Sequence, residues 1–272
     1  MKVRRPSASG LDRAFDCPAS CWLPEVNEYG QRRPGLFLKE KSANQHTARG
    51  HRGHNALERK YLGARDADVY HGLRANEVNY AKGYIALRPL IEPIDADFPL
   101  TEVECWYYPH LAEAEFGSTP EHEDPPPERC RGRCDLMGLA PKGMVAVGPG
   151  GGPMDIGGLP IIADHKTGAP MYQTPALKSK QLRFFANWLY VMRRDLCMKG
   201  VAVGVYLTQS GSFQPYWLTP ADLRQFQEDL AGLWGLFDLV DLGDAKACGT
   251  PMSCKSATSK WCSVAGCMRS VQ

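Results

Sequence analysis

One long amphipathic stretch set between two apolar runs constrains this chain most. From Ala176 to Met198, residues Leu177, Leu182, Phe185, Ala186, Leu189, Tyr190 and Met192 recur at helical spacing, with Lys178, Lys180, Arg183, Arg193 and Arg194 on other faces. The flanking runs Leu159–His165 and Val201–Leu207 are apolar and strand-prone. Upstream, residues 101–108 alternate as a strand should, and Arg133 to Leu139 and Lys142 to Val147 read as paired strands. Residues 117–130, with prolines at 125–127, and the Gly-rich run 148–158 read as loops. Helices are expected over 7–15, where Ser7 can cap and Cys17-Pro18 ends the turn, and over 43–62, 74–87 and 221–240. The order helix, strands, helix, strand, helix predicts an α/β core around a mixed sheet.

A length of 272 residues suits one principal domain spanning 1–272. With 32 basic and 30 acidic residues the net charge is only +2, so any affinity for nucleic acid must come from a local basic face. No run of ~18 apolar residues exists, and Met1-Lys2-Val3-Arg4-Arg5 lacks the apolar stretch of a secretory signal. A soluble, cytoplasmic protein without a membrane partner is the expectation. Gly148-Pro149-Gly150-Gly151-Gly152 lacks the Lys-Ser/Thr of a phosphate loop and reads as a flexible connection.

Chemistry concentrates in Ile162-Ala163-Asp164-His165-Lys166-Thr167-Gly168. A strand has a side-chain period of two, so Asp164 and Lys166 share a face and can meet one phosphate. Asp135 on a preceding strand supplies a second hard-oxygen donor of the kind that holds Mg²⁺ or Mn²⁺ during phosphodiester hydrolysis. Lys166 can then position the attacking water or help deprotonate it.

Four separated segments carry a resemblance: Gly50-His51-Arg52-Gly53-His54-Asn55-Ala56-Leu57-Glu58, Gly132-Arg133-Cys134-Asp135, the Asp164 segment, and Gln181-Leu182-Arg183-Phe184-Phe185-Ala186. In this order they resemble the motifs of the RecB-like PD-(D/E)XK nucleases, across about half the chain. The resemblance implies a restriction-endonuclease-like core, a central mixed β-sheet flanked by helices, and a metal-dependent deoxyribonuclease, exonucleolytic in mode, serving recombination, repair or phage DNA processing. It makes His54, Asp135, Asp164 and the main-chain carbonyl of His165 the metal ligands, and Asp135, Asp164, Lys166 and Gln181 the catalytic set. DNA would be the substrate, and a helicase or recombinase a partner. Where this family often has a tyrosine after the glutamine, this chain has Phe184-Phe185. That departure motivates the alternative of a catalytically inactive, nuclease-like module that binds DNA or protein.

Ten cysteines fall into an early pair, Cys17 and Cys21, a late group, Cys248, Cys254, Cys262 and Cys267, and four between. Soft thiolates favour zinc or an iron–sulfur cluster, and four close either site. One early and three late cysteines resemble the iron–sulfur subgroup of the same nucleases, which implies a [4Fe–4S] cluster on Cys17, Cys254, Cys262 and Cys267 joining residues 1–30 to 245–272. Zn²⁺ and unligated thiols stay open, with Cys21 and Cys248 as spare candidates. Cys105, Cys130, Cys134 and Cys197 read as ordinary buried or loop cysteines. Lys178, Lys180 and Arg183, beside Gln181, could form a basic stripe for DNA phosphates. Trp106, Tyr107 and Tyr108 fit a strand core better than a base-stacking platform. The loops near 118–130 and 148–158 are expected to roof the site.

Overall fold

The computed structural model describes residues 5–16, 52–53, 55–56, 59–60, 63–87, 90–117, 128–166, 176–207 and 210–241. Eight strands form one mixed sheet: β1 (Thr101–Tyr108), β2 (Glu113–Phe116), β3 (Cys130–Leu139), β4 (Val145–Val147), β5 (Pro153–Asp155), β6 (Pro160–Lys166), β7 (Val201–Leu207) and β8 (Ser212–Leu218). Their order across the sheet is β2-β1-β3-β6-β7-β8-β4-β5. β1, β3 and β6 pair antiparallel, β7 joins β6 in parallel, and β8 returns antiparallel to β7. The α/β class with a mixed sheet is therefore present.

The pairing of Arg133–Leu139 with Lys142–Val147 is not. β3 is a central strand whose edges are filled by β1 and β6, with Leu136 opposite both Thr101 and Ala163. Val145–Val147 pairs instead with Pro153–Asp155, across a turn in which Gly148 N–H donates to the Gly152 carbonyl and Gly151 takes a φ of 78°. The run 148–158 is thus a turn and a strand, not a loop throughout. β4 then adds to β8 through the single pair Val147–Tyr216.

The crossover from β6 to β7 is made by a 3₁₀ turn, Ala176–Lys178, and by a helix over Lys180–Met192. That helix is shorter than the amphipathic pattern suggests. Ser179 is extended and its hydroxyl accepts the Leu182 N–H at 3.3 Å, so the cap sets the start. Arg193 leaves helical space at φ −133°, ending the helix before the polar Arg193-Arg194-Asp195 segment. Helices in chain order are α1 (Leu11–Asp16), α2 (Asp66–Val69), α3 (Ala75–Leu87), α4 (Lys180–Met192) and α5 (Pro220–Asp241). Ser7 precedes α1 and its 3₁₀ turn but makes no cap; its hydroxyl lies 3.1 Å from that of Ser9. Thr219 and Asp222 do cap α5, each accepting the other's backbone N–H at 3.2 and 2.8 Å.

The two faces of the sheet carry separate cores. Against one face, α4 buries Leu182, Phe184, Phe185, Trp188 and Leu189 over Val103, Tyr107, Cys134, Ile162 and Val203, with α5 adding Phe226, Trp234 and Phe237. Each such side chain, removed from water, stabilises by roughly 1.5–3 kcal/mol. The other face packs Leu136, Ile161, Ala163, Ala202 and Trp217 with Ala146 and Ile156 of the β4–β5 region. Gly132 lets α4 and the 3₁₀ turn before α1, Ala8–Gly10, approach β3: a Cβ there would meet Ala8 at 2.5 Å and Phe185 at 2.8 Å. Among the described residues no helix is long and apolar enough to cross a membrane.

A small third cluster joins Ala56, Val69 and Ala81. It is pinned by Glu77, nearly buried, which takes a bidentate grip from the Arg52 guanidinium and also accepts the Arg74 N–H at 3.0 Å. The Arg52 hydrogen bond, then the Arg74 N–H, hold the Glu77 carboxyl down to about 2. Because the folded value lies below the ordinary 4.5, this contribution is complete above pH 4.5 and is lost as pH falls toward 2. Glu77→Gln should therefore be less stable at neutral pH and show a flatter loss of stability between pH 4.5 and 2, read from urea midpoints by circular dichroism across that range.

Candidate active site

Alternation along β6 fixes the site's orientation. Ile161 and Ala163 belong to the core away from the helices and Ile162 to the core beneath α4, so Asp164 and Lys166 share the α4 side. The Lys166 ammonium lies 2.7 Å from Asp164 Oδ2, and Asp164 is buried at 6% exposure. The shared face expected from the period-two spacing is present, and on it the two side chains pair with each other.

Asp135 reaches the same segment from β3, by a break in that strand's alternation. Cys130 and Cys134 face α4, but so does Met137, while Leu136 faces the other core. The parity changes at Asp135. Across the ladder, between Val103 opposite Cys134 and Thr101 opposite Leu136, Glu102 adopts a φ of 51°, a left-handed conformation that is costly for a residue other than glycine. The irregularity seats a carboxylate of 8% exposure whose Oδ2 accepts the His165 N–H at 2.7 Å. One step along from Leu136–Ala163, the register brings Asp135 and Asp164 to adjacent positions.

His165 meets Asp135 through its main-chain N–H, and its ring Nδ1 also lies 3.6 Å from Asp135 Oδ2. The imidazole packs edge-on to Tyr206 on the opposite face, with centroids 5.7 Å apart. Lys166 is held as an ammonium: desolvation pulls its pKa down, but the charge and hydrogen bond of Asp164, with Asp135 and Asp12 behind, raise it above the ordinary value.

Gln181 is the second residue of α4 and is half-buried. Three basic residues stand beside it. Lys178 is exposed, but the Lys180 ammonium lies 4.6 Å over the Phe15 ring, and Arg183 donates from two nitrogens to the Leu177 carbonyl at 3.2 Å. Trp106 is covered by the Arg129 guanidinium, 3.3 Å from its ring centre, and Tyr107 is fully buried, as a strand-core role requires.

Asp12 was not legible as part of this site. It lies on α1, yet its Oδ1 accepts the N–H of Lys180, 168 positions away, at 2.9 Å. Only the crossing of α1 over the start of α4 brings the two together. The 148–158 region, expected as a roof, is elsewhere. β4 lies three strand spacings from β6, about 14 Å at ~4.8 Å each, and runs antiparallel to it, so its turn leads away from Lys166.

Asp135 and Asp164 offer oxygen donors that fit a hard divalent cation. Among the described residues no group of three or more His, Cys, Asp or Glu side chains is arranged to hold a metal ion. His54, and the cluster candidates Cys17, Cys254, Cys262 and Cys267, lie outside the described residues, as do Cys21 and Cys248. Cys105, Cys130, Cys134 and Cys197 are buried free thiols, and burial pushes each thiol up, Cys197 to about 12. They are unreactive packing residues. No protein-family profile matches the chain, and no curated protein matches it.

Proposed function

We propose that this chain is a divalent-metal-dependent DNA nuclease with a restriction-endonuclease-like core of the RecB-like PD-(D/E)XK type. One observation carries the reading: the Asp164–Lys166 pair at the end of β6 has a second buried carboxylate, Asp135, bonded to the peptide between them. Two carboxylates and an ammonium on neighbouring strands are the parts that phosphodiester hydrolysis needs. A mixed sheet with helices against it is the frame such a site uses.

In this proposal Asp135 and Asp164 hold Mg²⁺ or Mn²⁺, with His54 and the His165 carbonyl completing the set. The metal would neutralise the phosphate and lower the pKa of bound water. Lys166 sets its charge against a non-bridging phosphate oxygen and positions the attacking water. Asp135, through the His165 N–H, fixes the end of β6 against the middle of β3, and Gln181 faces the DNA backbone from the start of α4. The mode is exonucleolytic, in DNA recombination, repair or phage DNA processing, with a helicase or recombinase as partner. A [4Fe–4S] cluster on Cys17, Cys254, Cys262 and Cys267 joins the chain ends; broad visible absorption would distinguish it from Zn²⁺.

The test is incubation of the purified protein with linear single- and double-stranded DNA and Mn²⁺. Release of nucleotides that stops on chelation by EDTA is expected. No hydrolysis of any DNA end would sink the proposal, and tight, chelator-insensitive DNA binding without turnover would favour the inactive binding module instead.

A further inference from the structure

Where α1 meets the start of α4, a third carboxylate is engaged, Asp12. α1 is anchored by Leu11 and Ala14, both fully buried, and this fixes Asp12 over the start of α4. Asp12 Oδ1 takes the Lys180 N–H at 2.9 Å, and Ser179 Oγ takes the Leu182 N–H at 3.3 Å. Gln181 lies between these two tethered amides. The opening turn of a helix is where anions are ordinarily bound through free N–H groups. Here the Lys180 N–H is already committed to a carboxylate, so this turn is arranged to hold a position rather than to receive a phosphate.

We propose that Asp12 is a positioning residue of the hydrolytic site: by gripping the first amide of α4 it fixes where Gln181 stands relative to the Asp164–Lys166 pair. The proposal rests on the nuclease reading. Asp12 touches neither metal nor DNA in it, and acts through the helix. Small displacements of a positioning group lower turnover by as much as about 10²-fold while leaving substrate binding in place.

Two variants of the full chain remove the same hydrogen bond from opposite sides. Asp12→Ala deletes the acceptor. Lys180→Pro deletes the donor, at a first-turn position where proline is compatible with a helix and the preceding Ser179 is already extended. Both should lower kcat on linear DNA with Mn²⁺ by about tenfold or more, and in Asp12→Ala the KM for DNA should stay within about twofold. Asp12→Asn, which can still accept, should restore kcat to within about threefold of the parent. Hydrogen exchange at the Lys180 amide should accelerate in Asp12→Ala and return to the parent rate in Asp12→Asn. An active parent whose kcat survives Asp12→Ala, or Asp12→Asn as impaired as Asp12→Ala, overturns this role alone. A parent that hydrolyses no DNA overturns it together with the nuclease reading.

Discussion

Asp164→Asn is expected to lower Mn²⁺-dependent DNA hydrolysis by on the order of 10³-fold while the protein stays folded. Asp164 accepts from the Lys166 ammonium at 2.7 Å, and an amide in its place still accepts that bond but loses the charge a cation needs. Asp135 should behave differently, because its carboxylate also satisfies a buried N–H. Asp135→Asn can keep the 2.7 Å bond from the His165 N–H and should be an inactive, folded protein. Asp135→Ala orphans that donor in a buried setting and should cost about 1–3 kcal/mol of stability on top of the activity. Kinetics on linear DNA beside urea unfolding of the three variants separates the two effects. Asp164→Asn with parent turnover would exclude it as a ligand, and Asp135→Ala with parent stability would exclude the structural half of its role.

The largest loss of stability is expected at Gly200. This residue turns the chain from the end of the crossover into β7 with a φ of 126°, and a Cβ there would lie 2.2 Å from the Leu218 carbonyl oxygen and 2.8 Å from the Trp217 ring. Side chains rarely adopt that backbone conformation, and the nearest atom is backbone, which cannot swing aside. Gly200→Ala combines conformational strain with overpacking, together about 3–5 kcal/mol. For a chain of this size that is about 10 °C in Tm. A calorimetric Tm within a degree of the parent would show that the turn relaxes without strain.

What the residues disclosed in advance depended on the range of the interactions involved. Val201–Leu207 and the Thr219-Pro220 helix start were legible because β-branched alternation and capping act within a few residues. The Asp164–Lys166 pairing was legible for the same reason, from the two-residue period of a strand. β8 escaped notice because Pro215 and the polar Ser212 and Gln214 disguise it. The fold tolerates that proline where Gly204 lies opposite and where β4 forms its one pair a residue away, at Tyr216. The β4–β5 hairpin was missed because glycines suggest a connection, and the place of β4 in the sheet is set by its pair with β8, Val147 with Tyr216, far along the chain. Asp12 belongs to the same kind: nothing local marks it, and only the packing of Leu11 and Ala14 under α4 gives it a role.

The far-edge hairpin has a practical meaning. In the chain it lies between the two strands that bear the proposed metal carboxylates, yet its Gly148–Gly152 turn sits on the remote border of the sheet, headed away from Lys166. Sequence can therefore be spliced into that turn, a fluorophore tag or a tethering peptide for instance, as if onto a handle: it is covalently next to the chemistry, and spatially out of the path of an arriving polymer.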